Sequence, residues 1–174
     1  VDDHGGTYGD WSRFYEESFS WNPPVESNNE SLIRTWSSQY LAIANANQVL
    51  DALGKMEMTD KLRAAKGEAL ICRAYAHFVL VNIFCQQYDP NYPDDMGIPY
   101  MEKAETELDP KYERGTVAEV YAKIEKDIEE GLPLIDDAIY SVPKYHFNRK
   151  AAYSFAARFF PVSYTHLTLP TIRL

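Results

Sequence analysis

Aromatic rings and an amide cluster near the start of the chain. Tyr8, Trp11, Trp21 and Asn22 fall within residues 1–30, among Gly5, Gly6, Gly9, Pro23 and Pro24. An aromatic ring can cover the apolar C–H face of a sugar, and amides or carboxylates can pair with its hydroxyl rim. The same rings, with Phe14, Tyr15 and Phe19, would also serve to pin a loop onto helices. A second group is Asp89-x-Asn91-x-x-Asp94-Asp95. Its oxygens suit Ca²⁺, but the EF-hand spacing and terminal Glu are missing, so no metal and no cofactor is expected. Tyr88, Tyr92 and Tyr100 flank these acids and are candidates for contact with a partner. Hydrolysis of a glycosidic bond needs two carboxyl groups across a cleft. Glu16, Glu17, Asp94 and Asp95 supply acids, and nothing in their spacing sets two of them opposite each other.

Helices must position these groups. Residues 61–85 carry Leu62, Ala65, Ala69, Cys72, Ala76, Val79 and Ile83 at steps of three and four, with Leu70, Ala74, Phe78 and Val81 beside them. A helix apolar on most sides must be covered on most sides, so this one is central. Thr59 or Asp60 can cap it. Upstream, Ser27-x-x-Glu30 has capping-box form and opens a helix to about Leu53, with the stripe Trp36, Tyr40, Ile43, Asn47, Leu50. The short turn at Gly54 makes these two helices an antiparallel hairpin.

Trp36 and Tyr40 read as core. On the same apolar stripe, Asn47 must find a backbone partner in the adjoining loop, because an unpaired buried amide costs about 1–3 kcal/mol. Arg73 and Glu68 are expected to pair with neighbouring helices, Arg73 in a bidentate manner. His77 reads as a core histidine. Cys72 and Cys85 sit roughly 20 Å apart on one helix, too far for a disulfide, and read as small packing residues.

A loop of about thirty residues, broken by Pro90, Pro93, Pro99 and Pro110, follows Cys85. Loops so long are functional or ordered against the rest of the protein. Thr116-x-x-Glu119 starts a third helix with Val117, Val120, Tyr121, Ile124, Ile128 and Leu132 inward, ended by Gly131 and Pro133. Asn148 caps a fourth, Arg149–Phe160. Residues 161–174, PVSYTHLTLPTIRL, carry no acid and resemble the translation of a transposon-type sequencing adaptor. They are set apart as non-native, and the helix is expected to stop at Phe160.

The reading is therefore all-α: an aromatic-rich segment over 1–30, then TPR-like antiparallel helical hairpins over 31–160, incomplete in the second. The abrupt start at Val1-Asp2-Asp3 suggests a piece of a longer protein. A net charge of −9 argues against nucleic acid, which selects a basic face. No uncharged run reaches the length of a membrane span.

Five motifs carry a resemblance. Trp36-x3-Tyr40-x2-Ile43-Ala44-Asn45-Ala46-Asn47 resembles an early helix of the SusD/RagB family. Gly67-Glu68-Ala69, Arg73-Ala74, Phe78 and Leu80 are similar to its "GEA…RA…F-x-L" helix, and Gly97-Ile98-Pro99 to the segment that follows. Arg114-x-Thr116-Val117-x2-Val120-Tyr121-x2-Ile124 and Asn148-x2-Ala151-Ala152 with Arg158 complete the order over 36–158. Cys72 stands where the family usually has Leu, and Cys85-Gln86-Gln87 replaces a Gly-containing turn.

The resemblance implies a non-enzymatic, surface-exposed outer-membrane lipoprotein held by a lipid anchor that this stretch lacks. Such a protein captures an oligosaccharide, in some branches a peptide, for a SusC-like TonB-dependent transporter. On that reading Tyr8, Trp11, Trp21 and Asn22 stand as the candidate ligand contacts and Tyr88, Tyr92 and Tyr100 as the candidate partner contacts. A generic TPR-like adaptor gripping a peptide and a glycoside hydrolase stand as the other two classes.

Overall fold

A computed structural model describes residues 10–22, 31–106 and 110–164, and the chain divides into two compact units, Val1–Ser38 and Gln39–Leu174. Among the described residues the α-helices are, in order, α1 Asp10–Phe19, α2 Leu32–Leu53, α3 Asp60–Phe84, α4 Val117–Gly131 and α5 Arg149–Tyr164. Single 3₁₀ turns at Leu132–Leu134, Asp137–Ile139 and Pro143–Tyr145 lead from α4 to α5. Among the described residues there is no strand, only an isolated bridge between Met96 and Thr116. The class is all-α.

In the first unit, α1 ends in a turn closed by Asn22 N–H to Glu17 C=O at 2.8 Å and Trp21 N–H to Ser18 C=O at 3.2 Å. That pair of bonds is a Schellman cap, which places its penultimate residue in the left-handed region. Here that residue is Trp21, with φ of 55°, where glycine is the usual occupant. The Ser27–Glu30 capping box lies outside the described residues. The helix that was expected to follow it begins at Leu32, and Ser31 Oγ accepts the Arg34 N–H at 3.2 Å.

In the second unit, α3 is the centre, capped by Thr59 Oγ1 on Leu62 N–H. Tyr40 meets His77 edge-on and Asn47 meets Arg73, so α2 descends as α3 ascends. Lys66 pairs with Glu130, Arg73 with Asp127, and Phe78 packs on Tyr121, so α4 is antiparallel to α3 as well. Phe155 and Phe159 of α5 reach Phe78, while Tyr121 stacks on Phe159 at 5.7 Å. Both helical hairpins are present. The α4 capping box forms in both directions, Glu119 N–H to Thr116 Oγ1 and Thr116 N–H to Glu119 Oε2, and Asn148 Oδ1 caps α5 through Ala151 N–H.

The deepest face of α3 differs from the stripe read first. Of that stripe Ala69 and Ala76 are buried, but Ile83 is 47% exposed and Leu62, Ala65, Cys72 and Val79 are half-buried. The neighbouring Leu70, Ala74, Phe78 and Val81 are all buried, together with Ala64, Gly67 and Ile71. The reason is close packing against α4. A Cβ on Gly67 would stand 2.8 Å from the Gly131 carbonyl oxygen and 2.8 Å from Leu134 Cβ. Two glycines let the backbones touch, and that contact decides which side of α3 goes inward.

By length and composition α3 is apolar enough to cross a membrane, yet most of it is buried within the protein; it is a core helix. Both cysteines are free. Helix α5, expected to end at Phe160, does not stop there. It continues through Pro161 to Tyr164, the proline forgoing one backbone bond near the end of the helix.

Candidate functional site

In the second unit the buried Asn47, Arg73, His77 and Asp127 form one connected cluster across α2, α3, α4 and the long loop. Arg73 donates through Nε to Asp127 Oδ2 at 2.7 Å and through Nη2 to Asp127 Oδ1 at 2.6 Å, a bidentate pair. Its Nη1 serves Asn47 Oδ1 at 2.9 Å and the Glu102 carbonyl at 3.2 Å. Asn47 Nδ2 donates to the Met101 and Lys103 carbonyls at 2.9 and 3.2 Å. Tyr100 O–H donates to Asp127 Oδ2 at 2.6 Å, and its ring stacks on His77 with centroids 3.7 Å apart. Asn47 finds its backbone partner in the loop and Arg73 its carboxylate on a neighbouring helix, as their burial required.

His77 is 0% exposed. One ring nitrogen, Nδ1, donates to the Arg73 carbonyl at 2.9 Å, and Nε2 accepts the Met101 N–H at 3.1 Å. That bonding fits the neutral ring, and burial pushes its pKa down to about 3. Burial, reinforced by the Asp127 charge, pushes the Tyr100 hydroxyl up. Every one of these groups is spent on its neighbours. They hold the extended segment 97–103 in place, with Tyr40 O–H on the Pro99 carbonyl at 2.8 Å and Arg114 Nε on the Gly97 carbonyl at 2.7 Å. The cluster is scaffolding.

Glu68, expected to pair with a neighbouring helix, pairs with the connector instead. It accepts from His146 Nδ1 at 2.9 Å and Phe147 N–H at 3.2 Å, fastening the connector before α5.

The residues singled out for ligand contact belong to the first unit and those for partner contact to the second. Tyr8 lies outside the described residues. Trp11 belongs to α1, though its side chain is outside the described ones. Trp21 is 95% exposed at the end of the same helix, and Asn22 beside it is exposed. Of the three loop tyrosines, Tyr100 is taken up by Asp127 and His77, because its hydroxyl completes the shell around a buried carboxylate. Tyr88 stacks on Tyr121 at 4.8 Å. Tyr92 is 64% exposed.

Tyr88 and Tyr92 share an open groove of about 490 Å³ with Gln86, Gln87, Asp89 and Asp95. Among the described residues no group of His, Cys, Asp and Glu could hold a metal ion.

Sequence reasoning missed two things. Asp127 sits between Ile124 and Ile128 on the inward face of α4, and its place on an apolar stripe was the available signal for a buried partner of Arg73. The amides of Gln86 and Gln87 follow directly on the end of α3, where only the loop's path brings them beside Tyr92.

A family model for SusD-like proteins, described as starch-binding and associating with the outer membrane, matches residues 3–160. Several solved structures share the fold. A candidate sugar-binding protein of Bacteroides vulgatus ATCC 8482 is 29% identical with a TM-score of 0.67, over 76% of this chain and 30% of its own. A SusD superfamily protein of Bacteroides thetaiotaomicron VPI-5482 has a TM-score of 0.68 at 22% identity, over 80% of this chain and 31% of its own. A SusD-like carbohydrate-binding protein of B. vulgatus ATCC 8482 is 26% identical with a TM-score of 0.63, over 76% and 28%. The chain thus spans about a third of the length of these relatives. No curated protein matches the sequence.

Proposed function

The chain belongs to the SusD-like family, and on that premise we propose that it is part of a non-catalytic surface protein that captures an oligosaccharide and passes it to a SusC-like TonB-dependent transporter. The observation that carries this reading is the family match over residues 3–160, almost the whole described chain. The sugar- and carbohydrate-binding descriptions of its similar folds support the ligand class. The chemistry inside the fold supports a binder. The buried Arg73 guanidinium and Asp127 carboxylate are paired with each other and the His77 imidazole with two backbone groups, which leaves exposed side chains as the groups available to a ligand. Residence at the outer membrane, through a lipid anchor on the whole protein, belongs to the same proposal.

Full-length protein incubated with fluorescently labelled oligosaccharides tests it. Binding without turnover is the expected result, together with co-purification of a TonB-dependent transporter from native membranes. Release of shortened sugars would instead assign a hydrolase, and capture of peptides alone would assign the ligand to another class.

A further inference from the structure

We infer that the groove at the C-terminal end of α3, lined by Gln86, Gln87, Tyr88, Asp89, Tyr92 and Asp95, is a carbohydrate-binding surface. This rests on the reading above, that the protein captures glycans, and assigns that ligand a place.

The first ground is which groups remain unspent. Tyr92 presents a ring that meets no aromatic or hydrogen-bonding side chain among the described residues, and it is 64% exposed. The Gln86 and Gln87 amides and the Asp95 carboxylate make no side-chain hydrogen bond there either. Asp89 uses Oδ1 for Asn91, through both its N–H and its Nδ2, while Oδ2 takes no bond from the described residues. This contrasts with the cluster around Arg73, where each polar atom is used.

The second ground is complementarity. Each sugar hydroxyl both donates and accepts. Carboxylates accept, and amides do both, so two of each around one ring can satisfy a hydroxyl rim while Tyr92 covers a C–H face. Asp89 and Asp95 repel anions, which turns away acidic peptides and phosphorylated ligands. A volume of about 490 Å³ lies within the range of small-ligand sites.

The third ground is preorganisation. Tyr88 is fixed by its stack on Tyr121 of α4. Tyr92 N–H bonds the Asp89 carbonyl at 3.0 Å, and the Asp95 carbonyl receives Val117 N–H at 2.8 Å, while Gly97 N–H reaches the Gly115 carbonyl at 2.8 Å. A groove tied at both ends to helices loses little freedom when a ligand settles in it.

The test is affinity electrophoresis of the full-length protein in gels containing amylopectin or a mixed-linkage β-glucan, backed by side-chain amide NMR on the same samples. Tyr92→Ala combined with Gln87→Ala should weaken retention about tenfold, with an unchanged circular dichroism melt. Tyr145→Ala, a control at a 78% exposed tyrosine outside the groove, should change nothing. The Gln86 and Gln87 side-chain NH₂ resonances should shift on addition of the glycan that retards the protein. Unchanged retention in the double variant, or equal loss with Tyr145→Ala, overturns the groove assignment while leaving the glycan reading intact. Wild-type protein retarded by neither polysaccharide and by no labelled oligosaccharide overturns both.

Discussion

Arg73 of α3 and Asp127 of α4 face each other as a two-pronged pair, with N–O distances of 2.7 and 2.6 Å, each side chain less than a tenth exposed. The attraction between two such groups is offset by the cost of taking both out of water. Removing one partner leaves the other charged in a dry interior. Arg73→Met or Asp127→Leu alone should therefore cost about 3–5 kcal/mol, whereas the double variant should lose much less than the sum. A double-mutant cycle from urea melts measures this, and additive losses would contradict it.

The Gly67–Gly131 contact sets a second expectation. In an ordinary helix Gly→Ala gains about 1 kcal/mol. At Gly67 the new methyl would meet backbone atoms of the facing chain, Gly131 O at 2.8 Å and Ile135 N at 3.1 Å, which cannot turn aside. Gly67→Ala should destabilise by about 1–3 kcal/mol. Gly131→Ala, whose nearest atom is 3.0 Å away, should be milder. Thermal melts of the two variants give the order, and a stabilised Gly67→Ala would show that α3 and α4 stand farther apart.

His77 gives a pH dependence with a definite sign. The unfolded chain binds a proton at this imidazole below about 6.5, but the folded one, held down chiefly by burial, does so only at about 3. Its contribution to stability is complete above pH 6.5 and is lost as pH falls from there toward 3, by up to about 1.4 kcal/mol per unit. NMR should find the His77 ring protons at neutral-form positions from pH 8 down to 5. A midpoint near 6.5 would mean that water reaches the ring.

Trp21 carries left-handed backbone at the end of α1 with its side chain almost wholly in solvent. A side chain in that conformation costs about 1–2 kcal/mol, which glycine does not. Trp21→Gly should leave the melt unchanged or raise it slightly. If the ring is a glycan platform, the same substitution should reduce retention in amylopectin gels. Retention equal to wild type would return Trp21 to a role in neither stability nor capture.

The helices were legible in the amino-acid pattern because their signals are local. Thr59, Thr116 and Asn148 cap where their spacing said they would, and the apolar face of α4 is the one read from Val117 to Ile128. What was not legible depends on the approach of distant segments. Nothing within α3 reveals that Gly67 lies against Gly131, so the stripe ending in Ile83 looked as good as the buried one. Tyr100 resembled Tyr92 in every local respect. Only the fold sends one hydroxyl to Asp127 and leaves the other ring in water. The groove beside Tyr92 was hidden for the same reason, since Gln86 and Asp95 come together through the loop's return to α4.

Asn47, Arg73 and Asp127 stand on three different helices and touch in sequence, so the cluster fixes register as well as position. Sliding any one helix by a turn, about 5.4 Å, would strand an amide or a charge among hydrocarbon with no substitute within reach. Apolar side chains would tolerate such a slip far better, because one leucine can replace another. The three polar residues thus act as a key that only one alignment of α2, α3 and α4 can turn.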